Sequence, residues 1–322
     1  MARNILVIGE LEGSTLSSTS TELIAQATRL VDGGQVSVTL LGSGSNDVAA
    51  NSFEVGADRV FTGDDPGYDQ YNSDTWIAAV ESAVEQSNPD AIFIAQSIVG
   101  RDMGPRIAAR QGSAVAMDCI NVEDDAGTLK ATRPCYGGNA LATYSFATNP
   151  AVVTIRAKAF DPIAVRSGAT GESFDLGPPV DSRTTVIGRE LAESEGLQIT
   201  DAPIVVAGGR GLGAEDGFEM IEELASAFGS NRAAVGASRA ACDLGWYPVS
   251  QQVGLTGKVV TPDLYVAVAI SGASQHMAGC SGSKMIIAVN RDPEANIFAA
   301  SKYGIVGDYK QVVPALIEAL NA

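Results

Sequence analysis

Short apolar runs alternate with amphipathic stretches along almost the whole chain. NILVIGE (4–10), VSVTLLG (36–42) and DAIFIAQS (90–97) are runs of strand length rich in Val, Ile and Leu. Residues 17–32, 73–87 and 100–113 carry helical periodicity, with Ser and Thr residues ahead of the first and Ser73 as the expected cap of the second. Nearly continuous apolar strands separated by helices predict a parallel sheet covered on both faces. From about Cys119 to Ser182 the pattern turns to short apolar/polar alternation broken by turn residues, which predicts antiparallel strands appended to the first domain. Residues 191–203, LAESEGLQITDAP, are polar and without a period, the best linker candidate. Strand-like runs then resume at 204–209, 233–238, 266–271, 285–290 and 304–308, with helices expected over 214–230 and from Tyr309 onward. The expected fold class is α/β, with two domains that are each a largely parallel sheet flanked by helices. The boundaries fall at 1–192, a linker at 193–203, and 204–322.

The strands of the second domain end in unusual sequences: GGRGLG (208–213), GASRAACD (236–243), SGASQH (271–276), NRDPEA (290–295) and GD (307–308). In a parallel sheet all these ends reach one rim, where open α/β sheets bind ligands. A Gly-containing loop, 249–263, lies between the second and third strands. The GGRGLG corner has the spacing of a dinucleotide fingerprint, which by itself is as often a plain strand–turn–helix corner. Arg210 and Arg239 add planar guanidinium forks suited to phosphate or to an anionic ring edge. Asp308 could accept from ribose hydroxyls or cap the last helix.

Composition narrows the function. The chain has 21 basic and 38 acidic residues, a net charge of −17, which argues against nucleic-acid binding through phosphate contacts. The acidic residues are dispersed over surface-like positions and Lys is scarce, at 6 against 15 Arg, as would suit a halophile's cytoplasm. No apolar run approaches the roughly 18 residues of a membrane span, and the start, MARNILVIGE, lacks a signal peptide's apolar core, so a cytoplasmic protein with no direct membrane insertion is expected. Cys119, Cys135, Cys242 and Cys280 form no C-x-x-C pair and, with one histidine, no Cys/His zinc set, so no metal site is expected and the thiols read as reduced. The single histidine, His276, has no associated nucleophile, and neither a hydrolytic triad nor a carboxylate pair is evident. The rim is equipped to hold a cofactor, and no catalytic residue is expected.

At this point the sequence becomes recognisable. VVAGGRGLG, AAVGASRAACDLGW, QQVGLTGKVVTPDLYVAVAISGASQHMAGC and IIAVNRDPEANIFAASKYGIVGDYKQVVPAL closely resemble the C-terminal domain of the electron transfer flavoprotein alpha-subunit family, almost unbroken from about 204 to 318. GRDMGPRIAARQGS and RPCYGGNALATY…VVTIRAKAF resemble its N-terminal domain. The resemblance implies a Rossmann-like FAD-binding C-terminal domain in a heterodimer with a beta subunit, which holds AMP or a second FAD. It implies that Arg210, Ser238 and Arg239 lie near the pyrophosphate and flavin. It implies that Gln252, Val253, Gly254, Leu255, Thr256 and Gly257 wrap the isoalloxazine, with the Thr256 hydroxyl near flavin N5. Ser271, Gly272, Ala273, Ser274, Gln275 and His276 would approach the pyrimidine end, and Asn290, Asp308 and Tyr309 the ADP half. Leu255 stands where the family often has a polar residue and Ser274 where it often has an apolar one. The implied role is an electron carrier in fatty acid beta-oxidation, taking electrons from flavin dehydrogenases such as acyl-CoA dehydrogenases and passing them to a membrane quinone oxidoreductase. A subunit of an electron-bifurcating complex, and from another class a NAD-dependent dehydrogenase using the GGRGLG corner, are the alternatives.

Flavin reduction places negative charge at N1 and the C2 carbonyl, so a donor or cation there favours the reduced form. His276 and Arg239 are the candidates, and one charge-assisted hydrogen bond, about 1.5–3 kcal/mol, suffices to matter.

Overall fold

The structure, a computed structural model, describes residues 2–138, 140–188, 197–229 and 231–321. The chain divides into two compact units, residues 1–134 with 141–189 and residues 135–140 with 190–322.

The first unit opens with β1 (Ile5–Ile8), a two-residue ladder β2 (Leu11–Glu12) and β3 (Thr15–Leu16), and α1 (Ser18–Leu30). β4 (Val36–Leu41), α2 (Ser45–Glu54), β5 (Arg59–Gly63), α3 (Ser73–Ser87), β6 (Ala91–Ala95), α4 (Ile98–Arg110) and β7 (Val115–Cys119) follow. The helix starts obey capping chemistry: Ser17 accepts from the Ser20 N–H and Ser97 from the Gly100 N–H. The cap of α3 is Asn72, which accepts from the Asp74 N–H, one residue before the expected Ser73. β1, β4 and β6 are buried along their full length, as strands covered on both faces require.

The segment from 119 to 182 departs from expectation. β8 (Asn121–Asp125) and β9 (Thr128–Cys135) pair antiparallel and form a separate three-stranded sheet with β10 (Ala140–Ser145). β11 (Ala151–Ile155), however, inserts in parallel between β6 and β7, and β12 (Glu172–Asp175) is a parallel edge strand beside β5. The main sheet therefore runs β12-β5-β4-β1-β6-β11-β7. AVVTI is a continuous apolar run, buried at every position, which is the signature of a central parallel strand.

The second unit contains β13 (Ile204–Gly208), α5 (Gly217–Ala227), β14 (Ala233–Ser238), α6 (Arg239–Asp243), β15 (Gln252–Val253) and β16 (Leu264–Val268). It ends with α7 (Ser274–Cys280), β17 (Met285–Asn290), α8 (Ile297–Ala300), β18 (Tyr303–Val306) and α9 (Tyr309–Asn321). Its six strands are parallel and ordered β15-β14-β13-β16-β17-β18. Of the linker expected at 193–203, residues 193–196 lie outside the described residues. The remainder is not a loose tether, because Ile199 and Ala202 are buried in the core against Val205 and Tyr265.

Candidate functional site

The strand order of the second unit fixes where a ligand fits. β13 is laid down first, β14 and β15 extend the sheet on one side, and β16, β17 and β18 extend it on the other. Winding reverses between β13 and β16. At such a switch point the connections leave in opposite directions and a crevice opens beyond the carboxyl ends of the strands. The structure has a cavity of about 680 Å³ there, within the roughly 300–1,000 Å³ usual for ligand sites. Its walls are residues that follow β13 (Arg210, Gly211), end β14 and open α6 (Ser238, Arg239), and continue β16 (Ala269, Ile270, Ser271) and β17 (Arg291, Asp292).

The glycines of GGRGLG have a packing role. A Cβ at Gly209 would lie 2.3 Å from the Ala269 carbonyl oxygen, and one at Gly211 2.7 Å from the same atom. The Gly209 and Gly211 N–H groups donate to the carbonyls of Val268 and Ala269. These glycines let the chain leaving β13 run against the chain leaving β16. A short 3-10 turn (Arg210–Leu212) follows and the helix starts only at Gly217, so the corner is not the tight strand-to-helix turn that a dinucleotide fingerprint needs.

Thirteen of the eighteen residues singled out from the sequence line this cavity: Arg210, Ser238, Arg239, Gln252, Val253, Gly254, Leu255, Thr256, Ser271, Ala273, Gln275, His276 and Asn290. Asp308 and Tyr309 instead line a second cavity of about 340 Å³, which shares Arg210, Gly211, Ala269, Asn290 and Arg291 with the first. The Asp308 carboxylate accepts from the Lys310 N–H at 3.0 Å, so it caps the last helix, and the Tyr309 hydroxyl donates to the Leu212 carbonyl. Gly257, Gly272 and Ser274 lie off both walls. Gly257 and Gly272 serve the backbone: a Cβ would lie 2.3 Å from the Gln252 oxygen and 2.2 Å from the Ile297 nitrogen, respectively. Ser274 is exposed and donates to Gln275. Gly211, Ala240, Asp243, Arg291, Asp292 and Ala295 also line the first cavity and fall within the strand-end segments read as one rim, though none was assigned a role toward the cofactor, whereas Ala269 and Ile270 were read as strand.

The loop 252–258 is held as a unit. Gly254 takes φ +148° beside the Gln275 carbonyl, the Leu255 N–H donates to that carbonyl at 2.7 Å, and the Lys258 N–H donates to the Gln252 carbonyl. The Gln252 amide, buried beneath the loop, donates to the Thr256 hydroxyl oxygen at 3.0 Å. That oxygen is thereby occupied as an acceptor, and the Thr256 hydroxyl proton stays available for a ligand.

The charges on the rim are unequal in their engagement. Arg239 pairs with Asp243 at 3.4 Å, both well exposed, a contact worth little in stability. Ser238 caps α6 through its hydroxyl. Arg210 and Arg291 are exposed and, among the described residues, have no ion-pair partner. His276 is 7% exposed, with Nε2 2.9 Å from the Tyr265 hydroxyl and Nδ1, sealed from solvent, without a well-aligned hydrogen-bond partner among the described residues. Burial, opposed only by the Val253 backbone, pushes its pKa down to about 4. The ring is neutral at pH 7, so it can act as a hydrogen-bonding group but not as a cation.

Beside Arg210 and Arg291 stands an apolar wall of Val253, Leu255, Ala269, Ile270 and Ala273. The Thr256 hydroxyl and the His276 ring complete the lining. Such a lining matches an extended cofactor with an anionic linker and a flat heteroaromatic ring. Fold and site together define a nucleotide-cofactor-binding protein of the doubly wound α/β class.

Comparison with known proteins narrows that class. The family model "Electron transfer flavoprotein domain" matches residues 5–176, and "Electron transfer flavoprotein FAD-binding domain" matches residues 198–281. The alpha subunit of the electron transfer flavoprotein of Bacillus subtilis (strain 168) is 39% identical over 322 residues, covering 99% of this chain and 97% of that one. The corresponding subunit of Megasphaera elsdenii is 38% identical, over 99% of this chain and 96% of that one. Protein FixB of Clostridium saccharobutylicum is 37% identical, over 98% of this chain and 95% of that one. The chain belongs to the electron transfer flavoprotein alpha-subunit family, and its second unit carries that family's FAD-binding domain.

Proposed function

We propose that this chain holds FAD in the switch-point cleft and serves as the alpha subunit of a heterodimeric electron carrier completed by a beta subunit. The observation that carries this reading is the cleft itself: two arginines without an ion-pair partner among the described residues and an apolar wall, at the point where the strand order of an FAD-binding domain reverses. Bound FAD supplies reversible electron storage. The chain's own residues bind, orient and shield it. Arg210 and Arg291 neutralise the pyrophosphate. The 252–258 loop covers the ring, with the Thr256 hydroxyl as a donor, and His276 lines the same wall. Asn290 is already committed to the fold, donating to the Ile270 carbonyl at 2.9 Å and accepting from the Asp292 N–H, so it shapes the wall between the two cavities.

In this reading electrons arrive from flavin dehydrogenases, acyl-CoA dehydrogenases among them, and leave to a membrane quinone oxidoreductase. The beta subunit holds AMP. Among the described residues no helix is long and apolar enough to cross a membrane, which accords with a carrier that docks rather than inserts. The test is co-purification with the beta subunit, followed by an absorption spectrum and nucleotide analysis. One FAD with one AMP per heterodimer is expected. Two FAD per heterodimer would place the chain in an electron-bifurcating complex. A colourless protein with NAD-dependent turnover would overturn the flavoprotein reading.

A further inference from the structure

The 252–258 loop is fastened at its closing residue. The Lys258 N–H donates to the Gln252 carbonyl at 2.7 Å, and the Lys258 carbonyl accepts from the Gly254 N–H at 3.2 Å, so both backbone groups of one residue reach back across the loop. The return is close: a Cβ on Gly257 would lie 2.3 Å from the Gln252 carbonyl oxygen. The side chain of Lys258 leaves the loop altogether. Its ammonium donates to the Gln198 amide oxygen at 2.9 Å, 60 residues earlier in the chain. Gln198 belongs to the segment that leads into β13. The Gln198 carbonyl accepts from the Asp201 and Ala202 N–H groups, each at 3.0 Å, and the turn so formed sets Ile199 and Ala202 into the core. The loop is therefore held from two sides, by the Gln275 carbonyl at Leu255 and by Gln198 at Lys258.

We propose that Lys258 is a positioning residue that ties the 252–258 loop to the turn at 198–202, so that a ligand resting on the loop and the order of that turn favour one another. The consequence for FAD rests on the reading that the cavity holds it; the tie itself does not. Val253, Gly254, Leu255 and Thr256 line the cavity, whereas Lys258 and Gln198 line neither it nor the second cavity. Any effect of these two side chains on the ligand therefore passes through the loop. A ligand that needs the loop in place favours the tie, and by linkage the tie favours the ligand to the same degree. For a charge-assisted hydrogen bond on a half-buried lysine, the expected effect on cofactor retention is roughly 2- to 10-fold.

The test uses the full chain co-purified with its beta subunit, loaded with FAD and again after the flavin is removed. Lys258→Met deletes the ammonium and keeps an unbranched apolar stem. In the loaded protein it is expected to speed FAD release, followed by flavin fluorescence after dilution, by roughly 2- to 10-fold. Gln198→Ala is expected to do the same, and the double variant to add nothing beyond either single one, as two partners of one contact require. An unchanged release rate in a folded Lys258→Met, or fully additive effects in the double variant, would overturn the proposal. Hydrogen exchange at the Asp201 and Ala202 amides reads the other end of the tie. In the flavin-free protein these amides should exchange faster in Lys258→Met than in the unmodified chain, and equal rates would refute the tie. Added FAD should slow them in the unmodified chain and not in Lys258→Met; amides indifferent to FAD would refute the coupling. A protein that takes up no FAD would defeat the cofactor reading and the coupling that rests on it, while exchange in the flavin-free protein decides the tie separately.

Discussion

The first unit carries a carboxyl group whose burial should be visible as pH-dependent stability. Glu22 on α1 is 7% exposed, and its carboxylate accepts one hydrogen bond, from the Lys158 N–H at 2.7 Å. Burial is the largest influence and raises its pKa from 4.5 to about 7; the Lys158 hydrogen bond and charge oppose it, and Asp161 adds to it. Between those values the folded chain holds a proton that the unfolded chain has released, so unfolding becomes easier as pH rises. The stability that this group contributes is fully present below about 4.5 and is lost as pH rises through 7. At roughly 1.4 kcal/mol per unit the limit is about 3 kcal/mol, and screening near Lys158 reduces the expectation to about 1–3 kcal/mol. Glu22→Gln removes the titration and keeps an oxygen for the Lys158 N–H. Relative to the unmodified chain, Glu22→Gln should therefore gain about 1–3 kcal/mol on going from pH 4.5 to pH 8. Any fixed packing cost of the amide cancels in that difference. The chain has two tryptophans, and Trp76 lies in the first unit's core. Urea unfolding followed by Trp76 fluorescence in a Trp246→Phe background isolates the unit that contains Glu22. A difference that stays flat across this range, or runs the other way, would refute the burial argument.

Arg210 lines both cavities and, among the described residues, has no ion-pair partner, so Arg210→Gln should leave the fold intact and weaken FAD retention. A lost charge-assisted hydrogen bond of about 1.5–3 kcal/mol corresponds to a roughly 10- to 100-fold rise in Kd, read by flavin fluorescence titration. Gly272 has φ +79° and would place a Cβ 2.2 Å from the Ile297 nitrogen, whereas Gly213 has φ +92° with open space around it. Gly213→Ala should cost about 1–2 kcal/mol from backbone conformation alone, and Gly272→Ala distinctly more, as a larger fall in thermal midpoint. The net charge of −17 predicts that the unfolding midpoint rises from dilute buffer to molar KCl; a midpoint indifferent to salt would remove the basis for a halophilic surface.

What the sequence disclosed, and what it hid, follows from the range of the forces involved. The strands of the second sheet were legible because a strand buried on both faces is a local statement: IVVAG and MIIAVN need no distant partner to look apolar. The rim was legible for the same reason, since each lining segment directly follows a strand. The pairing of AVVTI was hidden, because parallel insertion between β6 and β7 depends on segments far away in the chain, while its turn-rich neighbours mimic hairpins. The glycines of GGRGLG were ambiguous because close approach to another backbone and close approach to a phosphate demand the same residue. Only the Ala269 carbonyl oxygen, 2.3 Å from a Cβ on Gly209, tells them apart. His276 shows the limit most clearly. The resemblance carried by SGASQH marked it as a ligand group, yet its Nε2 lies 2.9 Å from the hydroxyl of Tyr265, eleven residues earlier on the preceding strand. Nothing in the spacing of the two residues reports it, because a strand and the helix after it bring residues together through the loop geometry that joins them. The hydrogen-bond partner of the histidine therefore belongs to the core, where sequence reading assigns only bulk.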